Sequence, residues 1–273
     1  MRILLAAHHF PPNYNAGAEW QTYHTARGLK ALGHDVSVVS VERVDTGPST
    51  GVEWVDETFH DLPIRRLSFN RAHSSDTRLW EYRNEWIGDH MRAWWALERP
   101  DLVHVVSGYL LTGSIFEAAE SLNLPTILTL TDFWWLCSRL QMLRSDGAIS
   151  RLPLEPWRCA QCVAEERAPY KQLGRFFPGV MQAYWRSNSP AAALIKDRQT
   201  YLRERFDRVG AVISPSHFLR EIHVQAGIPG DRITVSRQGN AIIDRGLHLG
   251  FRRKPANKLR VAYLGQIIEV KGV

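Results

Sequence analysis

The stretch Ile3-Leu-Leu-Ala-Ala-His-His-Phe-Pro-Pro-Asn-Tyr-Asn-Ala-Gly-Ala-Glu19 decides the fold of this chain. Residues 3–7 form a continuous apolar run, which is typical of a strand buried on both faces of a parallel sheet. Apolar residues then recur about every three positions across residues 19–32, which predicts a helix. A buried strand, a short loop and a helix together indicate the start of an α/β unit.

The same alternation continues along the rest of the chain. Further strands are predicted at residues 36–40, 102–106, 126–130, 211–214 and 233–236, and further helices at 79–98, 110–122, 191–208 and 217–226. Residues 52–55 and 64–67 are predicted as short strands, and the proline-containing stretch 133–185 as irregular. We therefore expect an α/β fold, a Rossmann-like doubly wound parallel sheet with helices on both faces.

The last residues, Arg260-Val-Ala-Tyr-Leu-Gly-Gln-Ile-Ile-Glu-Val-Lys-Gly-Val273, look like the opening of another α/β domain. An apolar run ends in Gly265, and Lys271 and Gly272 follow where a helix should begin, an arrangement that favours anions. We therefore expect one complete lobe at 1–243 and a polar linker at 244–258. Residues 259–273 would be the start of a second, truncated lobe.

Composition limits the class of protein. The chain has 273 residues, of which 44% are hydrophobic and 23% are charged, as in an ordinary globular protein. Three cysteines argue against a disulfide framework and fit a reducing compartment. Neither an 18-residue apolar run nor a signal-peptide pattern is present. These features predict a cytoplasmic location.

The positive charge is concentrated in residues 139–208, which hold 13 Lys and Arg against 7 Asp and Glu. This surplus equals the net charge of +6 of the whole chain. It suggests contact with an anionic surface, either membrane headgroups on the inner face of the membrane or a phosphorylated substrate. The alternative is a solvated arginine-rich helical face. No nucleic-acid reader motif accompanies the charge, so nucleic acid is not an expected partner.

Ligands of open α/β sheets bind beyond the carboxyl ends of the strands. That rule selects loops 8–19, 107–109, 131–139 and 215–217, and 265–272 in the expected second lobe. The dinucleotide fingerprint G-x-G-x-x-G is absent, which counts against an NAD enzyme.

Five stretches, in the same order along the chain, resemble signature segments of the family-4 glycosyltransferases with the GT-B fold. They are Pro-Pro-x-x-x-Ala-Gly-x-Glu19, Leu29-x-x-Leu-Gly-His-Asp-Val36, Thr129-Leu-Thr-Asp-Phe-Trp-Trp-Leu-Cys137, Ile213-Ser-Pro-Ser-His-Phe-Leu219 and Tyr263-Leu-Gly-Gln-Ile-Ile-Glu-Val-Lys-Gly272. The resemblance implies retaining transfer of a sugar, without a required cofactor, from a nucleotide diphosphate sugar to a glycan or lipid-linked acceptor. Transfer would occur between two lobes, so this chain alone is expected to be inactive.

The resemblance also implies roles for particular residues. The donor would contact Gly17, Gly265, Gln266 and Lys271, with Gln266 standing where the family usually has arginine. The catalytic candidates are Asp132 and Thr131, which replaces a usual histidine, and the substrate-binding candidates are Asn15, Glu19 and His9. Structural alternatives stay open. Asp132 could cap a turn, Glu19 could favour the first turn of its helix, His8 and His9 could be structural, and Lys271 could be a surface lysine.

The three cysteines form a separate candidate site. Cys159 and Cys162 have metal-ligand spacing, and Cys137 opens the same region. The similar family segment often has a fourth cysteine where this chain has Ser150, so a structural zinc site would be incomplete. His60 and His73 are the candidates for the missing ligand, although nothing in the sequence places either one nearby. Unligated thiols are the alternative.

Two further functional hypotheses remain. One is a degenerate or truncated paralogue that binds a sugar or partner without catalysis, and the other is a GT-B epimerase.

Overall fold

The computed structural model describes residues 1–239, 257–259, 261–263, 265 and 267. The chain divides into two compact units, Met1–Gln238 and Gly239–Val273. In the described part of the chain, no helix is both long enough and apolar enough to cross a bilayer.

The first unit is built on one eight-stranded sheet. Its strands are β1 (Arg2–Ala7), β2 (Asp35–Arg43), β3 (Glu53–Phe59), β4 (Leu62–Ser68), β5 (Leu102–Val106), β6 (Thr126–Thr129), β7 (Ala211–Ser214) and β8 (Ile233–Val235). Their order across the sheet is β3-β4-β2-β1-β5-β6-β7-β8. All neighbouring strands pair in parallel except β3, which pairs antiparallel with β4. The predicted Rossmann-like parallel sheet is confirmed.

Eight α-helices connect or flank the strands. They are α1 (Gly17–Ala31), α2 (Glu85–Glu98), α3 (Ser114–Ser121), α4 (Pro156–Ala164), α5 (Ala168–Phe176), α6 (Pro178–Ser187), α7 (Ser189–Arg208) and α8 (His217–Gln225) in the described residues. Three short 3-10 turns lie at 71–73, 79–81 and 230–232.

Strand β1 shows why both faces of the sheet are covered. Ile3 and Leu5 belong to a core cluster that includes Ala26 of α1. Leu4 and Ala6 belong to a second cluster that contains residues of α2, α3 and α7. Because successive side chains of a strand point to opposite faces, the two clusters lie on opposite sides of the sheet. The apolar run of β1 therefore serves two cores, as predicted.

The prediction that 133–185 is irregular holds for residues 133–155 but was wrong for residues 156–185, where α4, α5 and most of α6 lie. Each of these helices begins with a proline in its first two positions, namely Pro156, Pro169 and Pro178. Proline suits the first turn of a helix, where its missing N–H would have had no intrahelical partner. These three prolines, which suggested an irregular stretch, therefore mark the starts of helices.

Two predicted helices are shorter than expected. In residues 79–98, Asn84 accepts hydrogen bonds from the backbone N–H groups of Trp86 and Ile87, so α2 begins only after this cap. In residues 110–122, Leu110 and Thr112 have φ angles of 61° and 62°, which exclude a helix before α3.

The two short strands predicted around residue 60 are longer and form a hairpin. The turn between β3 and β4 consists of His60 and Asp61, with φ angles of 46° and 65°. Positive φ at both central residues is the geometry that suits the twist of a two-residue hairpin. The hairpin of β3 and β4 therefore forms one edge of the sheet.

In the second unit, the described residues are few. Residues 261–263 are not in a strand, so the strand expected at 260–264 is absent from the part that is described. The expected linker at 244–258 and the other residues of the expected second lobe lie largely outside the described residues.

Candidate functional site

Four of the five predicted loops meet at the carboxyl edge of the sheet. The rings of His8 and Tyr109 lie 5.8 Å apart, which joins loop 8–19 to loop 107–109. Ser107 donates to Asp132, which joins loop 107–109 to loop 131–139. The rings of Phe133 and Phe218 lie 6.4 Å apart, next to loop 215–217. The loops form one surface because the parallel strands β1, β5, β6 and β7 are neighbours.

Asp132 is held by three hydrogen bonds. Its Oδ2 accepts from Ser107 Oγ at 2.9 Å and from Thr131 Oγ1 at 3.1 Å, and its Oδ1 accepts from the Trp134 backbone N–H at 2.8 Å. The carboxylate therefore fixes the turn after β6, which is the structural role that the sequence left open. Contact of Asp132 or Thr131 with a reacting sugar stays a prediction.

Trp134 locks this turn against its neighbours. A Cβ added to Gly108 would lie 2.1 Å from Trp134 Cζ3, so the indole packs directly on the backbone of loop 107–109. The backbone carbonyl of Trp134 accepts a hydrogen bond from Arg198, whose side chain is 3% exposed. Burial lowers the pKa of Arg198 to about 10, so the guanidinium stays charged at neutral pH. The sequence did not single out Gly108 or Arg198.

Glu19 is the buried carboxylate of the site. It lies in the first turn of α1, is 4% exposed, and its Oε1 is 3.4 Å from His8 Nε2. Burial raises the pKa of Glu19, but hydrogen bonds from His8 and from its own backbone N–H outweigh burial. The net pKa is below its usual value. Glu19 is therefore ionised at neutral pH.

Two acceptor atoms of this pair have no donor. His8 Nδ1 and Glu19 Oε2 are buried and without a hydrogen-bond partner among the described residues. Nε2 of His8 faces the Glu19 carboxylate, and in the tautomer that carries its proton on Nε2, Nδ1 is an acceptor. Buried acceptors without donors are costly, so the pair is suited to a ligand that brings hydroxyl groups.

His9 and Asn15 are used within the loop itself. His9 Nδ1 lies 2.8 Å from the Val41 carbonyl oxygen, and its ring stacks on Tyr14 at 3.7 Å. Burial lowers the pKa of His9 despite this hydrogen bond, so its ring is neutral at neutral pH. Asn15 donates to the Pro12 carbonyl at 3.0 Å. These contacts show structural roles, and a role in substrate binding stays a prediction for both residues.

Gly17 is the first residue of α1 and is exposed. A Cβ at this position would meet no atom within 4 Å among the described residues. The fold therefore does not need glycine here for steric reasons. An open helix N-terminus beside Glu19 leaves backbone N–H groups free to approach an anion.

Arg66 of β4 anchors loop 8–19, a role that no sequence pattern predicted. Its side chain is 4% exposed and donates to the carbonyl oxygens of Phe10 at 3.1 Å and Pro11 at 2.6 Å. It also pairs with Glu42 at 3.2 Å and Glu57 at 2.5 Å. This one guanidinium therefore sets the path of the loop that carries the candidate site.

The three cysteines line a separate cavity of about 40 Å³, together with Ser150 and several arginines. All three are free thiols, and Arg139 donates to Cys162 Sγ at 3.6 Å. Burial, with the neighbouring Cys137 and Cys162, raises the pKa of Cys159 to about 12. No group of three or more His, Cys, Asp or Glu residues in the described ranges is arranged to hold a metal ion. A zinc site at these thiols stays a prediction.

Neither histidine considered as a fourth ligand lines this cavity. His60 lies in the β3–β4 turn, where its Nδ1 is 2.8 Å from Tyr23 Oη.

Of the predicted donor contacts beyond residue 260, only Gly265 is described, and it is exposed. Gln266 and Lys271 lie outside the described residues.

The sequence profile of the glycosyl transferase 4-like domain matches residues 16–239. The chain belongs to this glycosyltransferase family. The resemblance predicted from the five motifs is thereby confirmed. A search of curated proteins finds no significant match to the chain.

Several solved structures are similar to the chain at low identity. The catalytic domain of starch synthase IV from Arabidopsis thaliana, bound to ADP and acarbose, is 11% identical, with a TM-score of 0.47 over 87% of this chain and 51% of that one. UDP-GlcNAc 2-epimerase from Neisseria meningitidis, bound to UDP-GlcNAc, is 11% identical, with a TM-score of 0.41 over 92% of this chain and 50% of that one.

A third structure, trehalose-6-phosphate from E. coli bound with UDP-2-fluoro glucose, is 9% identical, with a TM-score of 0.44 over 93% of this chain and 52% of that one. This chain thus spans about half the length of these three structures. Similarity at this level carries no argument about substrate.

Proposed function

We propose that the first unit is the acceptor-side half of an enzyme that transfers a sugar from a nucleotide diphosphate sugar to an acceptor, with retention of configuration. Membership of the glycosyl transferase 4-like family supports the reaction class. The observation that carries the proposal is the pair of buried acceptors on His8 and Glu19, which lack donors in the described part of the chain. A sugar presents hydroxyl donors to both.

The donor diphosphate would lie at the N-terminus of α1. The exposed backbone around Gly17 offers N–H groups there, and the helix dipole favours negative charge at that end. The carboxylate of Glu19 would bind the sugar rather than the phosphates, because two anions would repel each other. Lys271 and Gln266 would contact the same phosphates from the second lobe.

A cavity of about 260 Å³ beside the site could receive the acceptor. Tyr109 and Trp134 line it together with Glu81 and Arg71. Aromatic faces and charged groups together suit a polar acceptor such as a glycan. This placement also puts the acceptor next to the His8 ring, since Tyr109 contacts both.

Retention is the finer part of the proposal and depends on the whole two-lobed enzyme. It is tested by the anomeric configuration of the product, read from the coupling constant of its anomeric proton. A product with the anomeric configuration of the donor is expected, and an inverted product would contradict it.

The competing proposal is sugar binding without catalysis. The three hydrogen bonds that occupy Asp132 favour it, because they leave that carboxylate a positioning role. Turnover of a nucleotide sugar by the two-lobed enzyme would exclude it. For the present chain we expect no turnover, and a Kd of about 1 mM or weaker, because contacts from one lobe do not offset the cost of immobilising the ligand.

Replacing Gly17 by Leu tests the donor position. The side chain would fill the open space at the N-terminus of α1 and block the diphosphate, while leaving the fold intact because no atom is in the way. We expect the saturation-transfer NMR signal of UDP-glucose bound to the 273-residue chain to fall to background.

The matched control is Gly28→Leu in the same helix. Gly28 is also exposed, and a Cβ there also meets no described atom within 4 Å. This variant should bind UDP-glucose as the parent does. Equal loss of binding in both variants, or unchanged binding in Gly17→Leu, would refute the placement of the donor.

A further inference from the structure

The helices α5 and α6 expose a row of large apolar side chains. Leu173, Phe176, Phe177, Val180 and Tyr184 are each between 45% and 70% exposed. The spacing of Leu173 and Phe176 along α5, and of Val180 and Tyr184 along α6, places each pair on one side of its own helix. Phe177 lies at the break between the two helices, where its N–H donates to the Leu173 carbonyl and its carbonyl accepts from the Met181 N–H. We call these five residues the apolar row.

The opposite side of the same helices is packed. Met181 and Trp185 are buried against Ala160 of α4, with Ile195 of α7 beside them. The apolar row is thus not the core-facing side of α5 and α6. It is a second apolar surface, left uncovered by the described residues, and contiguous exposed apolar surface marks an interaction site.

The charges within the sequence segment that carries the apolar row have a single sign. From Arg167 to Lys196 the sequence contains no Asp or Glu, and it contains five cations. They are Arg167, Lys171, Arg175, Arg186 and Lys196. Lys171 and Arg175 form no ion pair with any described residue. Asp146 and Glu165 line a pocket together with these two cations, but neither carboxylate pairs with them. Apolar side chains interspersed with cations match the chemistry of an anionic lipid surface.

Both helices suit the plane of a membrane better than its interior. α5 has 9 residues and α6 has 10, whereas about 20 are needed to span a bilayer. Phe and Leu side chains of this kind bury in the boundary between headgroups and acyl chains, while Lys and Arg remain at the phosphates.

We propose that the apolar row and its cations dock the protein on an anionic lipid surface. The charge of residues 139–208 predicted an anionic partner, and this proposal identifies that partner as a membrane. It also assigns the contact to α5 and α6 within that segment. The inference is independent of the proposed glycosyl transfer, since docking requires no nucleotide sugar. An enzyme held in this way would meet lipid-linked molecules at the membrane surface.

Vesicle co-sedimentation of the full 273-residue chain tests the proposal. We expect binding to vesicles that contain phosphatidylglycerol, little binding to phosphatidylcholine alone, and weaker binding at high salt. Phe176→Ser with Phe177→Ser should weaken binding at least about tenfold, because each buried phenyl ring contributes to insertion. Lys171→Gln with Arg175→Gln should weaken it roughly 30-fold, at about 1 kcal/mol for each cation.

Controls match each change elsewhere on the surface. Leu97→Ser removes a side chain that is 82% exposed on α2, and Arg78→Gln with Arg99→Gln removes two exposed cations. These variants should bind vesicles as the parent does, and all variants should keep the parent melting temperature. Equal binding to both vesicle types, or full binding by the Phe176 and Phe177 variant, would overturn the proposal. The proposal would also be overturned if analytical ultracentrifugation showed that the parent chain forms a dimer and that the Phe176 and Phe177 variant does not.

Discussion

Replacing Arg66 by Met is expected to lower the free energy of unfolding by about 2–4 kcal/mol, because it leaves buried polar groups without the guanidinium that pairs with them. The variant leaves the Phe10 and Pro11 carbonyls without their donor and Glu42 and Glu57 without their cation. Urea denaturation at neutral pH measures the change. Because the two carbonyls belong to loop 8–19, the variant should also lose any binding of UDP-glucose.

The neighbouring Arg65 provides the control, since adjacent strand residues face opposite sides of the sheet. Arg65 pairs with Asp56 at 2.7 Å, and its guanidinium lies over Trp94 at 4.2 Å, but that carboxylate is 57% exposed. Arg65→Met should cost about 1 kcal/mol. Equal costs for the two variants would show that Arg66 does not anchor the loop as described.

Replacing Arg198 by Ala is expected to lower the free energy of unfolding by about 3–5 kcal/mol, since it leaves a cavity in the interior and a buried carbonyl without its hydrogen-bond donor. The side chain is 3% exposed, donates to the Trp134 carbonyl and lies 5.4 Å over the Trp134 ring. Urea denaturation measures the cost. The near-ultraviolet circular dichroism of tryptophan should also change, because Trp134 packs on Gly108 only while its turn is fixed.

Arg208→Ala in the same helix is the matched control. Its side chain is 56% exposed and pairs with Glu120 at the surface, so the loss should be below about 1 kcal/mol. If Arg198→Ala were no more costly than Arg208→Ala, the buried cation would not be what holds the turn after β6.

The sequence predicted the sheet well because its strands are continuous apolar runs. Strands β1, β5 and β7 fall where the periodicity placed them, since a strand buried on both faces leaves a clear pattern. The carboxyl-edge rule then selected the loops that meet at the site. Proline was the misleading signal, because in residues 133–185 it begins helices instead of interrupting them.

The site was predicted less completely than the fold. Glu19 and Asp132 were singled out because they follow strands within family-like motifs, and their roles toward a substrate stay predictions. Arg66 and Arg198 were missed, because a charged residue in a strand or helix usually points to solvent. Only the tertiary contacts show that these two arginines are buried and hold the loops. Gly108 was missed for a similar reason, since its close contact with Trp134 joins residues that are distant in sequence.

The central claim is that the carboxyl edge of the sheet, around His8, Gly17 and Glu19, binds a nucleotide sugar. The most direct test is a titration of the isotopically labelled 273-residue chain with UDP-glucose, UDP-GlcNAc and ADP-glucose, followed by backbone amide chemical shifts. The account predicts saturable shifts confined to residues 8–19, 107–109 and 131–134 for at least one ligand. Shifts that avoid these loops, or none with any of the three at concentrations at least about tenfold above 1 mM, would contradict it.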